Sequence, residues 1–213
     1  MRTFLFAILT IAGAAVCAAA TTTVPSIILD SDGVAVSGLT PGSSALVFSV
    51  KRVQRGYLSG HSRSDNILAP ADASGNAHLK VRSLPSVAIW CVVDLSTGSY
   101  AILAPPVAAL RETHLPLNAL LASGGGPLNR LHSRHEFVEV LWVRPGIGAW
   151  GISAGDGGTH DADGAPDGHV SVAPEQMEPI GAFKAPPNHF LPTDTFILID
   201  PDTMEIVSSE AKR

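Results

Sequence analysis

The stretch "GDGGTHDADGAPDG", residues 155–168, gathers four aspartates and five glycines. Charged residues make up only 15% of the whole chain, so this density of carboxylates stands out. Calcium takes roughly six to eight oxygen ligands, mostly carboxylates and backbone carbonyls. Alternate residues of a tight loop can converge on one point, and glycine permits the sharp turns this needs. Asp161 and Asp163 alternate, Gly164 follows, and Asp167 comes four residues after Asp163. The Ala165 carbonyl sits between the last two. This set predicts a calcium site formed by Asp161, Asp163, Ala165 and Asp167, with Asp156 as the further carboxylate. The competing reading is a solvated hairpin loop in which Asp and Gly are turn formers. Carboxylates this close repel one another without a cation, which weighs against it.

The run "THDADGAPDG" resembles the calcium loop of integrin-type propeller repeats, whose pattern is Asp-x-Asp/Asn-x-Asp-Gly-x-x-Asp. Aligned on the Asp-Gly pair, Asp161 takes the third position, Asp163 the fifth, Ala165 the seventh and Asp167 the ninth. The first position holds Thr159, a hydroxyl where that pattern has a carboxylate, which implies weaker affinity unless Asp156 replaces it. The motif occurs once, so the resemblance implies the loop chemistry and not the propeller fold.

Other strings carry less. "GIGAWG", residues 146–151, matches the glycine spacing of dinucleotide-binding loops. That motif works only after a strand and at the start of a helix, and Pro145 precedes it here while an alternating strand follows; a turn between strands is expected. "HSRHE" places His132, His135 and Glu136 together, but not in the His-Glu-x-x-His order of zinc proteases. "GHSRSD", residues 60–65, holds a histidine, serines and an aspartate, yet a catalytic triad is assembled in space and not in one string. "KRVQR", residues 51–55, is the one basic cluster and reads as a solubilising strand face. Cys91 lies in the apolar run "AIWCVVDL" and reads as a buried small hydrophobe. Trp90 is expected in the core; Trp150 is the best candidate for an outward aromatic, although a packed tryptophan is the stronger expectation.

These residues need elements to hold them. The N-terminal "MRTFLFAILTIAGAAVCAAA" has one arginine, an apolar run and small residues ending at Ala20, the layout of a secretory signal peptide. Its apolar run of about 14 residues falls short of the roughly 20 that a membrane helix needs. Cleavage after Ala20 is expected, with a lipid anchor at Cys17 as the alternative. Nothing later in the chain is apolar for long enough to span a bilayer, so no stable span is expected in the mature protein. The chain has 14 basic and 19 acidic residues, a net charge of -5. That balance argues against nucleic acid as a partner, since phosphate neutralisation needs a basic surface. Of two cysteines, only Cys91 survives cleavage, so stability must come from packing rather than a disulfide.

Beyond the signal, strand patterns dominate. "SIILD", "VAVSGL", "SALVFSVKRV", "NAHLKVRS" and "GSYAILA" are short β-rich runs, separated by "DSDG", "TPGSS", "DASGN" and "LSTGS". In "SALVFSVKRV", Leu46, Phe48 and Val50 alternate with Ser49 and Lys51, which predicts a half-buried strand. "VAIWCVVDL" is apolar throughout and predicts a strand covered on both faces. "EFVEVLWVRP", "GAWGISAG", "HVSVAPEQ", "DTFILIDP" and "MEIVSS" continue the series. The expected fold class is all-β with little helix. Residues 1–20 are signal, 21–105 a β-sandwich, 106–135 a linker with one short helix over "LNALLAS", and 136–213 a second β-rich unit carrying the Asp/Gly loop.

"VSGLTPGSSALVFSV" followed by "ADASGNAHLKV" resembles bacterial secreted modules of immunoglobulin-like or fibronectin type III-like shape. The resemblance covers roughly 75 residues. It implies an exported, non-catalytic protein, periplasmic, cell-surface or extracellular, acting as an adhesion or interaction module. Its partner would be a protein or polysaccharide of the envelope or exterior. A carbohydrate-binding module is the alternative and would need exposed aromatics near Trp150. A secreted hydrolase is the third reading and would need His, Ser and acid groups brought together from distant strands.

Overall fold

A computed structural model describes residues 24–55, 58–63, 67–81, 89–105, 109–120, 138–154, 178–179, 189–200 and 203–209. Three sheets and one short helix make up the described fold, so the all-β expectation holds.

The first sheet joins β1 (Ser26–Leu29), β2 (Gly33–Ser37) and β6 (Ala77–Lys80) in the order β1-β2-β6, all antiparallel. The second has β3 (Ser44–Arg55) at its centre. β4 (Leu58–Arg63) and β5 (Ile67–Pro70) both pair with one edge of β3, and β7 (Ile89–Asp94) pairs with the other, followed by β8 (Tyr100–Leu103). The third takes in β9 (Arg111–Leu115), β10 (Val138–Arg144), β11 (Gly148–Ala154), β12 (Glu178–Pro179), β13 (Thr195–Asp200) and β14 (Glu205–Ser209), in the order β12-β11-β10-β13-β14-β9. Its last pair, β14 with β9, is parallel.

Strand periodicity explains how the sheets stack. Successive side chains on a strand point to opposite faces. On one face of the second sheet, Ala45, Val47, Trp90 and Val92 pack with Ile27, Val34, Val36, Ala77 and Leu79 of the first. On the other face, Leu46, Phe48, Val50, Ile89, Cys91 and Val93 pack with Leu141, Val143, Ala149, Ile197, Ile199 and Ile206 of the third. The second sheet is therefore a middle layer, which is why β7 has no polar alternation: it is buried along its whole length. β3 was expected to be half-buried. Instead Ser49 is buried together with Val47 and Ala45 on the face opposite Leu46 and Phe48, because both sides of this strand are covered. By contrast β6 keeps the expected alternation, with Leu79 inward and His78 and Lys80 exposed.

The far face of the third sheet carries its own apolar cluster of Val140, Trp142, Trp150, Phe196, Leu198 and Val207. Leu120 of α1 (Leu117–Leu120), Leu117 and Phe190 pack onto it. The short helix expected over "LNALLAS" is thus present at 117–120. The stretch expected to be linker also holds β9, whose exposed, charged residues give no apolar alternation to read. The shared core of the second and third sheets joins segments that the sequence assigned to separate units.

Candidate functional site

Asp156, Asp161, Asp163, Ala165 and Asp167 lie outside the described residues, as do His132, His135 and Glu136 and residues 1–20, where a signal peptide was expected. β11 leads toward the aspartate loop, and the described strand that pairs with it from beyond the loop is β12, with Trp150 opposite Pro179 and Gly151 opposite Glu178. Among the described residues no three His, Cys, Asp or Glu side chains converge on one point. "KRVQR" forms the end of β3 and pairs with β4, which carries His61 and Ser62; Asp65 is outside the described residues.

"GIGAWG" is a strand-to-strand turn. Arg144 pairs with Gly148, the Ile147 amide donates to the Arg144 carbonyl at 3.0 Å, and Gly146 takes φ 74°, a left-handed conformation that favours glycine. No helix follows, so the phosphate-cradling geometry is not formed. Trp150, the best candidate for an outward aromatic, is fully buried, the packed state that was the stronger expectation. Its ring centroid lies 4.7 Å from that of Trp142, which in turn meets Phe190 edge-on at 5.0 Å and stacks with Phe196 at 6.0 Å. A fully buried indole offers no face for a sugar, and Trp90 and Trp142 are buried as well. Cys91 is inaccessible; burial, and next the nearby Glu112 charge, push its thiol pKa well up, so it is not a nucleophile.

Two buried acids serve the frame. Asp94, at the end of β7, accepts hydrogen bonds from the Thr40 amide at 2.7 Å and from the Ser96 amide and hydroxyl at 2.9 and 2.8 Å. Burial alone would raise its pKa, but the hydrogen bonds from Thr40 and Ser96 together outweigh it and hold the carboxyl below its ordinary value. Asp194 receives a forked pair of bonds from Arg144, Nε to Oδ1 at 2.9 Å and Nη2 to Oδ2 at 2.7 Å. Arg144 also donates to the His189 carbonyl at 2.7 Å, and its guanidinium carbon lies 5.3 Å from the Trp142 ring centroid. With both partners buried, this pair pins the segment before β13 against the end of β10.

The described residues do bring a serine, a histidine and an acid together, at positions the sequence did not single out. β9 and β14 run parallel with His114 opposite Ser208. Glu112 and His114 are two apart on β9 and share a face. Tyr100 reaches the same place from β8 in the middle sheet. Its hydroxyl lies 2.8 Å from Glu112 Oε1 and 2.5 Å from Ser208 Oγ. Ser208 Oγ is in turn 2.8 Å from His114 Nδ1, and His114 Nε2 is 3.7 Å from Glu112 Oε1. Burial pushes the Tyr100 phenol pKa far up; the Ser208 contact opposes this and the Glu112 carboxylate adds to it. The phenol therefore stays protonated. In a working serine triad the acid binds the ring nitrogen that faces away from the serine. Here that distance exceeds a hydrogen bond, and Ser208 is fully buried. The cluster as it stands ties β8, β9 and β14 together where the chain passes from the second sheet to the third. The signal that would have found it is the period-two pair Glu112 and His114 in "RETHL", hidden by flanking prolines and the lack of apolar residues.

A shallow groove of about 460 Å³ opens on the first sheet, lined by Ile28, Ala35, Ser37, Pro70, Asp72 and His78 among others. Its floor follows the register, in which Ile28 lies opposite Ala35 and Ala35 opposite His78. Ile28 is 62% exposed. At one end Asp30 Oδ2 contacts His78 Nε2 at 3.1 Å.

No known protein family, curated protein or solved structure matches the chain. Among the described residues no helix is long and apolar enough to cross a membrane, which says nothing of a membrane β-barrel.

Proposed function

We propose that the protein is an exported, non-catalytic β-sandwich that acts as an adhesion or interaction module of the bacterial envelope or exterior, with the aspartate loop as a structural calcium site. One observation carries the reading. The order β1-β2-β6 packed on β4-β3-β7-β8 resembles two sheets of an immunoglobulin-like sandwich, with β5 pairing β3 outside that pattern, and so supports the module reading over a fold built around a catalytic cleft. Two of the described buried acids support it too, since Asp94 and Asp194 are engaged with the fold's own donors. The partner is a protein or polysaccharide, and the groove along Ile28, Ala35 and His78 is the surface to test first.

A secreted hydrolase is the second reading, favoured by the 2.8 Å approach of Ser208 Oγ to His114 Nδ1. One experiment separates the two. The processed chain is assayed for saturable binding to envelope protein and polysaccharide fractions, and in parallel for turnover of simple aryl esters and glycosides. The module reading predicts binding that a bulky charge at the groove floor, Ala35→Arg, removes, and no turnover. Turnover lost in Ser208→Ala would overturn it in favour of the hydrolase.

A further inference from the structure

The groove on the first sheet is a trough one strand wide. β2, the central strand, presents Ala35 and Ser37 outward, both small. Ile28 on one side and His78 on the other stand opposite Ala35, so two larger side chains wall a low floor. The apolar wall is uncovered, with Ile28 62% exposed. The volume of about 460 Å³ falls within the roughly 300–1,000 Å³ of ligand pockets. One end is anionic. Asp72 lines it next to Asn76, the residue before β6, and its Oδ1 accepts the Ser74 and Asn76 amides at 2.8 and 2.9 Å. Those bonds, Asn76 first, hold the carboxyl below its ordinary value, so it stays ionised. At the other end Asp30 is already engaged by the His78 ring at 3.1 Å, and Lys80 lies one outward position beyond His78. Among the described residues no lysine or arginine lines the groove.

An occupant must match both features, an open aliphatic wall and a fixed carboxylate one step along the strand. Ala35 and Ser37 are successive outward positions of β2, roughly 6–7 Å apart, and alternate side chains of any extended chain repeat at the same spacing. An extended peptide lying along β2 therefore sets one side chain against Ile28 and Ala35 and the next on that face beside Ser37 and Asp72. A cation there complements the carboxylate. A sugar ring would stack on an exposed aromatic face, and all three tryptophans are buried. We infer that the groove takes an extended segment of a partner protein in which an aliphatic residue stands two positions from a lysine or arginine, the aliphatic side chain against Ile28 and Ala35 and the cation at Asp72. This rests on the interaction-module reading and chooses protein over polysaccharide as the partner of this face.

The test selects a random peptide library displayed on phage against the protein. The selected peptides, made synthetically with a fluorescent label, are then titrated by anisotropy with wild type, Ala35→Arg and Asp72→Asn, each checked for native circular dichroism. Peptides with an aliphatic residue two positions from Lys or Arg should be enriched. Ala35→Arg, which fills the floor and repels the peptide's cation, should weaken them by more than about 10-fold. Asp72→Asn should weaken them by about two- to five-fold and remove most of the salt dependence of binding. It keeps an oxygen to accept the Ser74 and Asn76 amides, so it reports on the charge with the turn in place, even if Ala35→Arg disturbs the sheet. Failure to select any peptide, selection of acidic peptides, or affinities unchanged in both variants would overturn the inference. The interaction-module reading is judged separately, by binding of the same protein to envelope protein and polysaccharide fractions. Polysaccharide binding removed by Ala35→Arg would give the groove to sugars, and no binding to either fraction or to any peptide would remove both readings.

Discussion

The outer faces of the first and third sheets are built from the same kind of strand and end up in opposite states. The first presents Ile28, Ala35 and His78 to solvent over a small-residue floor. The third presents Trp142, Trp150 and Phe196, none of them accessible, with Phe190 and Leu120 packed on top. Large aromatics on an outer face demand a cover, because burying one of them stabilises by several times what an exposed isoleucine could contribute. The forked Arg144–Asp194 pair belongs to that cover: it fixes the segment carrying Phe190 beside the ring of Trp142. One outer face is thus spent on stability, and the other is left open to solvent.

Substitutions can break this contrast, and the largest effects belong to the closed face. Trp142→Ala should cost about 3–5 kcal/mol by denaturant unfolding, since it removes the indole that touches Trp150, Phe190 and Phe196. Asp194→Ala leaves Arg144 buried without its carboxylate and should cost about 3–5 kcal/mol; a loss under about 1 kcal/mol would mean that the pair does not hold the cover. Tyr100→Phe, at the seam between second and third sheets, should cost about 1 kcal/mol, because Ser208 keeps its His114 contact.

The acid limb of the pH–stability curve reports on the end of β7, where Asp94 accepts hydrogen bonds from Thr40 and Ser96. The folded-state pKa of Asp94 lies below its ordinary value of 3.8. Its contribution is therefore fully present above that value and is lost as pH falls from there through the lower folded-state pKa. Asp94→Asn should flatten the curve in that window and leave its shape near neutrality unchanged. The smallest effect belongs to the open face: Ile28→Ser should change stability by no more than about 0.5 kcal/mol.

Local pattern made much of this fold legible. The unbroken apolar run around Cys91 announced a strand covered on both sides, and the alternation about Leu79 placed His78 outward. What stayed hidden depends on partners far along the chain. Ser49 and Lys51 are polar, so β3 read as half-solvated, yet Ser49 is buried on the face where Ala45 and Val47 pack against the first sheet. β9 has no apolar period because its pairing with β14 is parallel and at an edge, where backbone bonds rather than side-chain burial hold it. For the same reason the Glu112–His114–Ser208–Tyr100 cluster had no local string. Its members come from three strands, and only the register of β9 against β14 sets His114 opposite Ser208. The indole of Trp150 borders a glycine-rich loop, yet it packs against Trp142, as its strand context favoured. The aspartate loop is the reverse case, a motif written in one stretch and lying outside the described residues.

Calcium titration of the protein tests the proposed role of that loop most directly. At an ion concentration 100 times the dissociation constant, a bound ion should add about 2.7 kcal/mol to stability, lost in Asp163→Ala and retained in His114→Ala. If melting and heat of titration are the same in calcium and in chelator, the loop is a connector and the cation-pinned module is wrong.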